Sequence, residues 1–244
     1  MINKKLLAST ALAGLLAAAN AFSQTTNFVG PSLALTGSYV GGSSKFKTGD
    51  FLNDEVFGGT GIDAKLGEQT NIIAGLDLNY GFAAGNNFVI GVGATYDFSK
   101  TKAGGFNSDF TINSEDAAFT LDTTLKNHYS LYVQPTYVIN KDSAMFAKVG
   151  RHYAKSTTTA DGNFVSFMGD VTSFSKNVEG WGYGLGLKSF LTNNLFVQAE
   201  AGVVSYDKVD LPFMSGASDL DAGNTHSSIK TKTTNATISV GYKF

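Results

Sequence analysis

From Val29 to Phe244 the chain repeatedly alternates apolar residues with small or polar ones at period two. In a strand, successive side chains point to opposite faces, so each such run predicts a strand with one apolar face. Eight runs stand out. Val29, Pro31, Leu33, Leu35 and Tyr39 lead, followed by a run from Ile72 through Leu76 and Leu78 to Phe82, and a third from Phe88 through Val92 to Phe98. A fourth sets Leu125, Tyr129, Leu131, Val133, Tyr137 and Ile139 against Lys126, His128, Ser130, Gln134 and Thr136. Met145 to Tyr153, Trp181 to Leu191, Val197 to Val203 and Ile238 to Phe244 complete the set. The runs reach about 10–13 residues, longer than the 5–6 usual in soluble sheets and close to the 9–11 of a tilted membrane-spanning strand.

The connections alternate in length. Gly41 to Thr70, Ser99 to Thr124, Thr157 to Val178 and Asp207 to Ser228 are long, whereas Ala83 to Asn86, Asn140 to Ser143 and Thr192 to Asn194 are short. Short turns at one rim and long loops at the other are the pattern of an outer-membrane barrel. The aromatic residues sort in the same way. Tyr80, Phe82, Phe88, Tyr137, Tyr242 and Phe244 fall beside short turns, and Tyr39, Tyr96, Phe98, Tyr129, Tyr153, Trp181 and Tyr183 beside long loops. Two aromatic girdles around an aliphatic band match the two interfaces of a bilayer. The expected fold is all-β: a single eight-stranded antiparallel up-and-down transmembrane β-barrel over 22–244. Both chain ends are then expected on the short-turn, periplasmic side.

Composition narrows the partners. Charged residues are only 16%, against about 25% in soluble domains. With 18 basic and 20 acidic residues there is no basic face for nucleic acid. The absence of cysteine excludes disulfides and thiolate metal sites. Lys4 and Lys5, the uncharged run Leu6 to Ala19, and Ala19-Asn20-Ala21 form the three parts of a secretory signal peptide. Residues 1–21 are therefore expected to be removed, with Ser23 as the alternative cleavage point. The apolar run is too short for a spanning helix.

Taken with these features, the ending Ile238-Ser239-Val240-Gly241-Tyr242-Lys243-Phe244 resembles the small outer-membrane β-barrels of Gram-negative bacteria, of the OmpA-type transmembrane-domain or opacity-protein kind within the porin-family barrels. The resemblance implies that Ile238, Val240, Tyr242 and Phe244 form the signal read by the barrel-assembly machinery. It implies a bacterial outer-membrane location with outer-membrane lipid and lipopolysaccharide as surroundings. The periplasmic peptidoglycan-binding domain of longer OmpA-type proteins is not found in this sequence. Pro31 and Pro135 lack the N–H a strand ladder uses, which predicts local bulges.

Candidate chemistry is sparse. His128-Tyr129-Ser130 is similar to the His-x-Ser pair of outer-membrane lipid A deacylases, but alternation turns His128 and Ser130 to the lumen, away from lipid. Asp97 and His128 fall toward the long-loop rim, where an outer-membrane protease would need more such groups. Gly180, Gly182, Gly184 and Gly186 line one strand face, where they are expected to relieve crowding in a narrow barrel or to allow the strand to bend. Asp219, Asp221 and Asn224 lack the rest of a calcium loop. On the lumen face Asp77 and Glu200 fall near mid-depth, with Lys148 and Lys188 somewhat nearer the periplasmic rim. Eight strands leave room only for side chains, so two cations and two carboxylates predict an internal salt-bridge plug, with Lys188 or Lys148 partnering Glu200. The expected role is that of a non-enzymatic, monomeric surface protein without metal or cofactor. It supports envelope integrity and displays four long loops that hold 15 of the 20 acidic residues. A narrow low-conductance pore for small solutes is the alternative, and a membrane-embedded lipid hydrolase the third reading.

Overall fold

A computed structural model describes residues 25–47, 63–65, 67–112, 115–161, 173–211 and 227–244. Residues 1–21, expected from the sequence to be an export signal, and Asp219, Asp221, Asn224 and His226 lie outside the described residues. A short 3-10 turn, Thr25–Phe28, precedes the strands. These are β1 (Gly30–Lys47), β2 (Asp63–Lys65), β3 (Gln69–Ala83), β4 (Phe88–Asp97), β5 (Thr101–Ile112), β6 (Glu115–Val138), β7 (Ser143–Asp161), β8 (Ser173–Phe190), β9 (Leu195–Tyr206), β10 (Val209–Leu211) and β11 (Ser227–Lys243). β4 and β5 both pair with β6 and together make one stave. The eight staves run antiparallel in chain order, and β11 pairs with β1 from Ser32↔Lys243 to Lys47↔Ser228 to close the barrel. The closed eight-stranded architecture agrees with the alternation read from the sequence.

The exterior is the apolar face. Leu35, Leu78, Leu131, Leu185 and Ile238 are all more than half exposed, which a soluble surface rarely tolerates over so wide a band. At the short-turn rim, Tyr80 stacks near Phe82 at 4.7 Å, Phe88 near Tyr137 at 5.8 Å and Tyr242 near Phe244 at 5.2 Å. At the other rim Tyr129 stacks on Tyr153 at 4.9 Å and Tyr96 lies 6.1 Å from Phe98.

Three expectations are corrected. The segment Ser99 to Thr124 is not a loop: β5 and the first half of β6 form a hairpin that extends the wall beyond the girdle. Its alternation is real but inverted in meaning, because Ala103, Leu121, Thr123 and Leu125 point inward and are almost completely buried. Second, the prolines cause no bulge. Pro31 sits in register with Tyr80, and across Pro135 the β6–β7 register resumes unchanged from Val133↔Val149 to Thr136↔Phe146. The irregularities fall instead at Lys102/Gly104 and Lys126/Tyr129. Third, the latter bulge, where Asn127 adopts φ 51°, reverses the parity of β6. Asn accepts a left-handed backbone more readily than most residues, and the extra residue turns Leu125 into the lumen and Lys126 onto the outer face.

Candidate functional site in the barrel lumen

The interior is layered. At the short-turn rim Phe28, Ala34, Val89, Val138, Ala144, Phe190 and Phe196 form an apolar plug. Phe28 comes from the 3-10 turn, which folds back across the mouth and sets its ring 5.1 Å from Phe190, edge to face. Two contacts hold that turn in place. Asn27 Nδ2 donates to the Lys141 carbonyl at 2.8 Å in the β6–β7 turn, and Lys243 Nζ donates to the Thr26 carbonyl at 2.7 Å. The alternation gave no sign of this cork, since it lies before the first strand. At the long-loop rim a second apolar cluster contains Leu121, Leu125, Val178, Val204, Tyr206 and Ile229.

Between the plugs lies the polar layer. Lys148 of β7 reaches Asp77 of β3 at 3.1 Å and Glu200 of β9 at 2.7 Å, with all three side chains about nine-tenths buried. Tyr132 of β6 donates its hydroxyl to Asp77, and its ring lies 4.4 Å from the Lys148 ammonium. Four strands thus meet through side chains at the centre. Lys188 makes no ion pair among the described residues. Its ammonium lies 3.7 Å from the centre of the Phe196 ring, at the top of the apolar plug. Buried charges need partners to offset lost hydration. The set is neutral overall, but one lysine takes both carboxylates and the other rests on an aromatic face.

The glycine stripe of β8 makes this crowding feasible. A β-carbon on Gly182 would collide with the His152 ring, one on Gly184 with the Glu200 carboxylate, and one on Gly186 with the Phe146 ring. β8 therefore offers a smooth wall into which side chains from β7 and β9 fold.

One step toward the long-loop rim, His128 Nδ1 meets Asp97 Oδ2 at 2.7 Å and His128 Nε2 meets His152 Nδ1 at 2.9 Å. Asp97 and His128, both expected toward this rim, thus meet across the β4–β6 pair. Ser130 instead shares a 2.6 Å hydrogen bond with Thr95. Both ring nitrogens of His128 are engaged, so His128 and Ser130 do not form a nucleophile–base pair. A cavity of about 90 Å³ touches the His128, His152, Lys148 and Glu200 side chains. No cluster of three or more metal-ligating side chains occurs among the described residues. Ile238, Val240, Tyr242 and Phe244, expected from the sequence to form an assembly signal, all lie on the exposed outer face of β11 and the chain end.

A closed antiparallel barrel with an apolar belt, two aromatic girdles and a polar lumen defines a β-barrel of the outer membrane. The chain belongs to the outer membrane protein β-barrel domain family, whose profile matches residues 8–244. No curated protein matches the sequence. Among solved structures it is similar to the outer membrane protein OprG from Pseudomonas aeruginosa, with 14% identity over 92% of this chain and 99% of that one, at a TM-score of 0.47. It is also similar to Ail, the attachment invasion locus protein of Yersinia pestis, with 16% identity over 88% of this chain and 99% of that one, at a TM-score of 0.40. The outer membrane protease OmpT from Escherichia coli shares 9% identity over 88% of this chain and 97% of that one, at a TM-score of 0.39.

Proposed function

We propose that this outer-membrane barrel is a non-conducting, non-enzymatic surface protein that supports the envelope and carries its long loops outward, with both termini periplasmic. The observation that carries the reading is the double occlusion of the lumen, with apolar plugs at both rims and a buried ion cluster between them. Hydrated ions would have to cross two layers of buried apolar side chains, and the hydroxyls buried at the long-loop end pair with one another, Ser44 with Thr231 and Thr123 with Thr158. The engaged histidine pair and the lumen-facing Ser130 favour a structural polar layer over hydrolysis. Purified mature protein in a planar bilayer is expected to give no stepwise conductance. Regular single-channel steps would overturn this reading in favour of the narrow pore, which the 90 Å³ central cavity would then serve.

The same reading assigns residues 1–21 to the export signal and the last strand to recognition by the assembly machinery. The mature protein is then expected to begin at Phe22, as a mass measurement would show, with Gln24 as the alternative start. Deleting Phe244 is expected to deplete the protein from the outer membrane and leave unassembled periplasmic chain for degradation. Unchanged outer-membrane abundance on fractionation would remove the assembly role from this residue.

A further inference from the structure

The bulge at Asn127 builds a feature on the outer face. On β7, Tyr153 and Lys155 are two residues apart and share a face, as alternation requires. On β6 the extra residue lets Tyr129 and Lys126, three apart, share that same face. The result is two matched rows: Tyr129 opposite Tyr153, stacked at 4.9 Å, and immediately above them Lys126 opposite Lys155, both exposed. Lys102 on β5 pairs with Thr124, the next outward position of β6, and adds a third exposed lysine diagonal to Lys126.

Like charges directly opposite on paired strands repel each other, and no carboxylate among the described residues relieves them. Lys102, Lys126 and Lys155 make no ion pair among the described residues. The nearest outward acid on the neighbouring strand, Glu179 opposite Tyr153, is taken by Arg151, whose guanidinium contacts it at 2.9 Å and Asp207 at 3.0 Å. The next outward acid along β6, Asp122, lies four residues farther from the girdle. Tyrosine rings of a girdle mark the headgroup level, so the lysines sit at the height of lipid headgroups.

We propose that Lys126, Lys155 and Lys102 form a binding site for the phosphate of a phosphorylated lipid headgroup in the leaflet facing the long loops, with the Tyr129–Tyr153 stack as its floor. The site rests on the outer-membrane location and on the long-loop side facing outward, and it is independent of whether the lumen conducts. A second lysine pair gives an internal control. Lys45 and Lys230 are also directly opposed and exposed, on the far side of the barrel, but they lie six residues beyond Tyr39. That is about 20 Å along the strand, more than a Debye length above the headgroups at physiological salt.

The test uses the refolded mature barrel in uncharged detergent, with adducts read by native mass spectrometry. The probes are a diphosphorylated diglucosamine lipid, the same lipid after dephosphorylation, and millimolar inorganic phosphate as competitor. Wild-type protein should bind the phosphorylated lipid, discriminate against the dephosphorylated form and keep its adduct in phosphate. Each lysine near the surface contributes roughly a fivefold gain, so K126Q/K155Q should weaken binding roughly thirtyfold. K45Q/K230Q, which loses the same charge, should bind like wild type, and heat-modifiable gel mobility confirms folding of both variants. Retained binding by K126Q/K155Q, equal losses in both double variants, or equal binding of the dephosphorylated lipid would overturn the site. Complete displacement by inorganic phosphate would reduce it to a free-anion site and overturn the lipid assignment.

Discussion

Lys148→Ala is expected to lower the stability of the folded barrel by about 3–5 kcal/mol, the usual loss when one partner of a buried ion cluster is removed. The substitution leaves Asp77 and Glu200 as two carboxylates facing each other across the lumen, having lost the ammonium that contacts both. Tyr132 still donates to Asp77, but a neutral hydroxyl offsets only part of a stranded charge. Glu200→Gln should cost markedly less, because Lys148 then keeps one carboxylate and the layer loses a single charge. Urea titration in lipid vesicles, followed by the fluorescence of Trp181, the only tryptophan, reads both variants. A Lys148→Ala loss below about 1 kcal/mol, the range of solvated pairs, would show that lumen water already screens these charges. The ordering of the two variants is a further check, since a generic packing defect would not separate them by charge.

Much of the barrel is legible in the sequence, because a wall with lipid on one side and a polar lumen on the other imposes period two on each stave. The strand count, the apolar belt and both girdles follow from that single constraint. What alternation does not carry is contact across the lumen. Glu200 is diagonal to Lys188 on the β8–β9 hairpin, which makes that pairing attractive from sequence. Lys148 reaches Glu200 instead from β7, across the glycine face of β8. That encounter depends on side chains with no Cβ between them, and on the register of non-adjacent staves. The bulge did leave a trace. Lys126, Asn127 and His128 are three successive polar residues inside an otherwise alternating run, with Leu121 and Leu125 in phase on its far side. An asparagine at such a break is a candidate for a left-handed residue, and placing it there corrects the faces of both Leu125 and Lys126. The Phe28 cork carried no comparable signal, since four residues of 3-10 turn have no period to read.

Leu185→Arg is expected to destabilise the barrel in lipid by about 2–4 kcal/mol, the cost of a cation near the bilayer midplane on the lipid face of a barrel. Leu185 is 67% exposed, and its cross-strand neighbours on that face are Ala147 and Ala201. Neither alanine is large enough to shelter a guanidinium there. The outer girdle begins at Tyr183 and Trp181, so an arginine at 185 must stretch along the wall past both rings to bring its charge to the interface. That reach is what makes the lower end of the range attainable. Ser173→Arg, at the exposed start of the same strand beyond the girdle, should change stability by less than about 0.5 kcal/mol. The comparison is made by folding efficiency and urea midpoint in vesicles of fixed chain length. Thinner bilayers should shrink the Leu185→Arg penalty by bringing the interface nearer and leave Ser173→Arg unchanged. If both arginines are tolerated equally at every thickness, the apolar face of β8 does not lie against hydrocarbon, and the assignment of inside and outside along that stave is wrong.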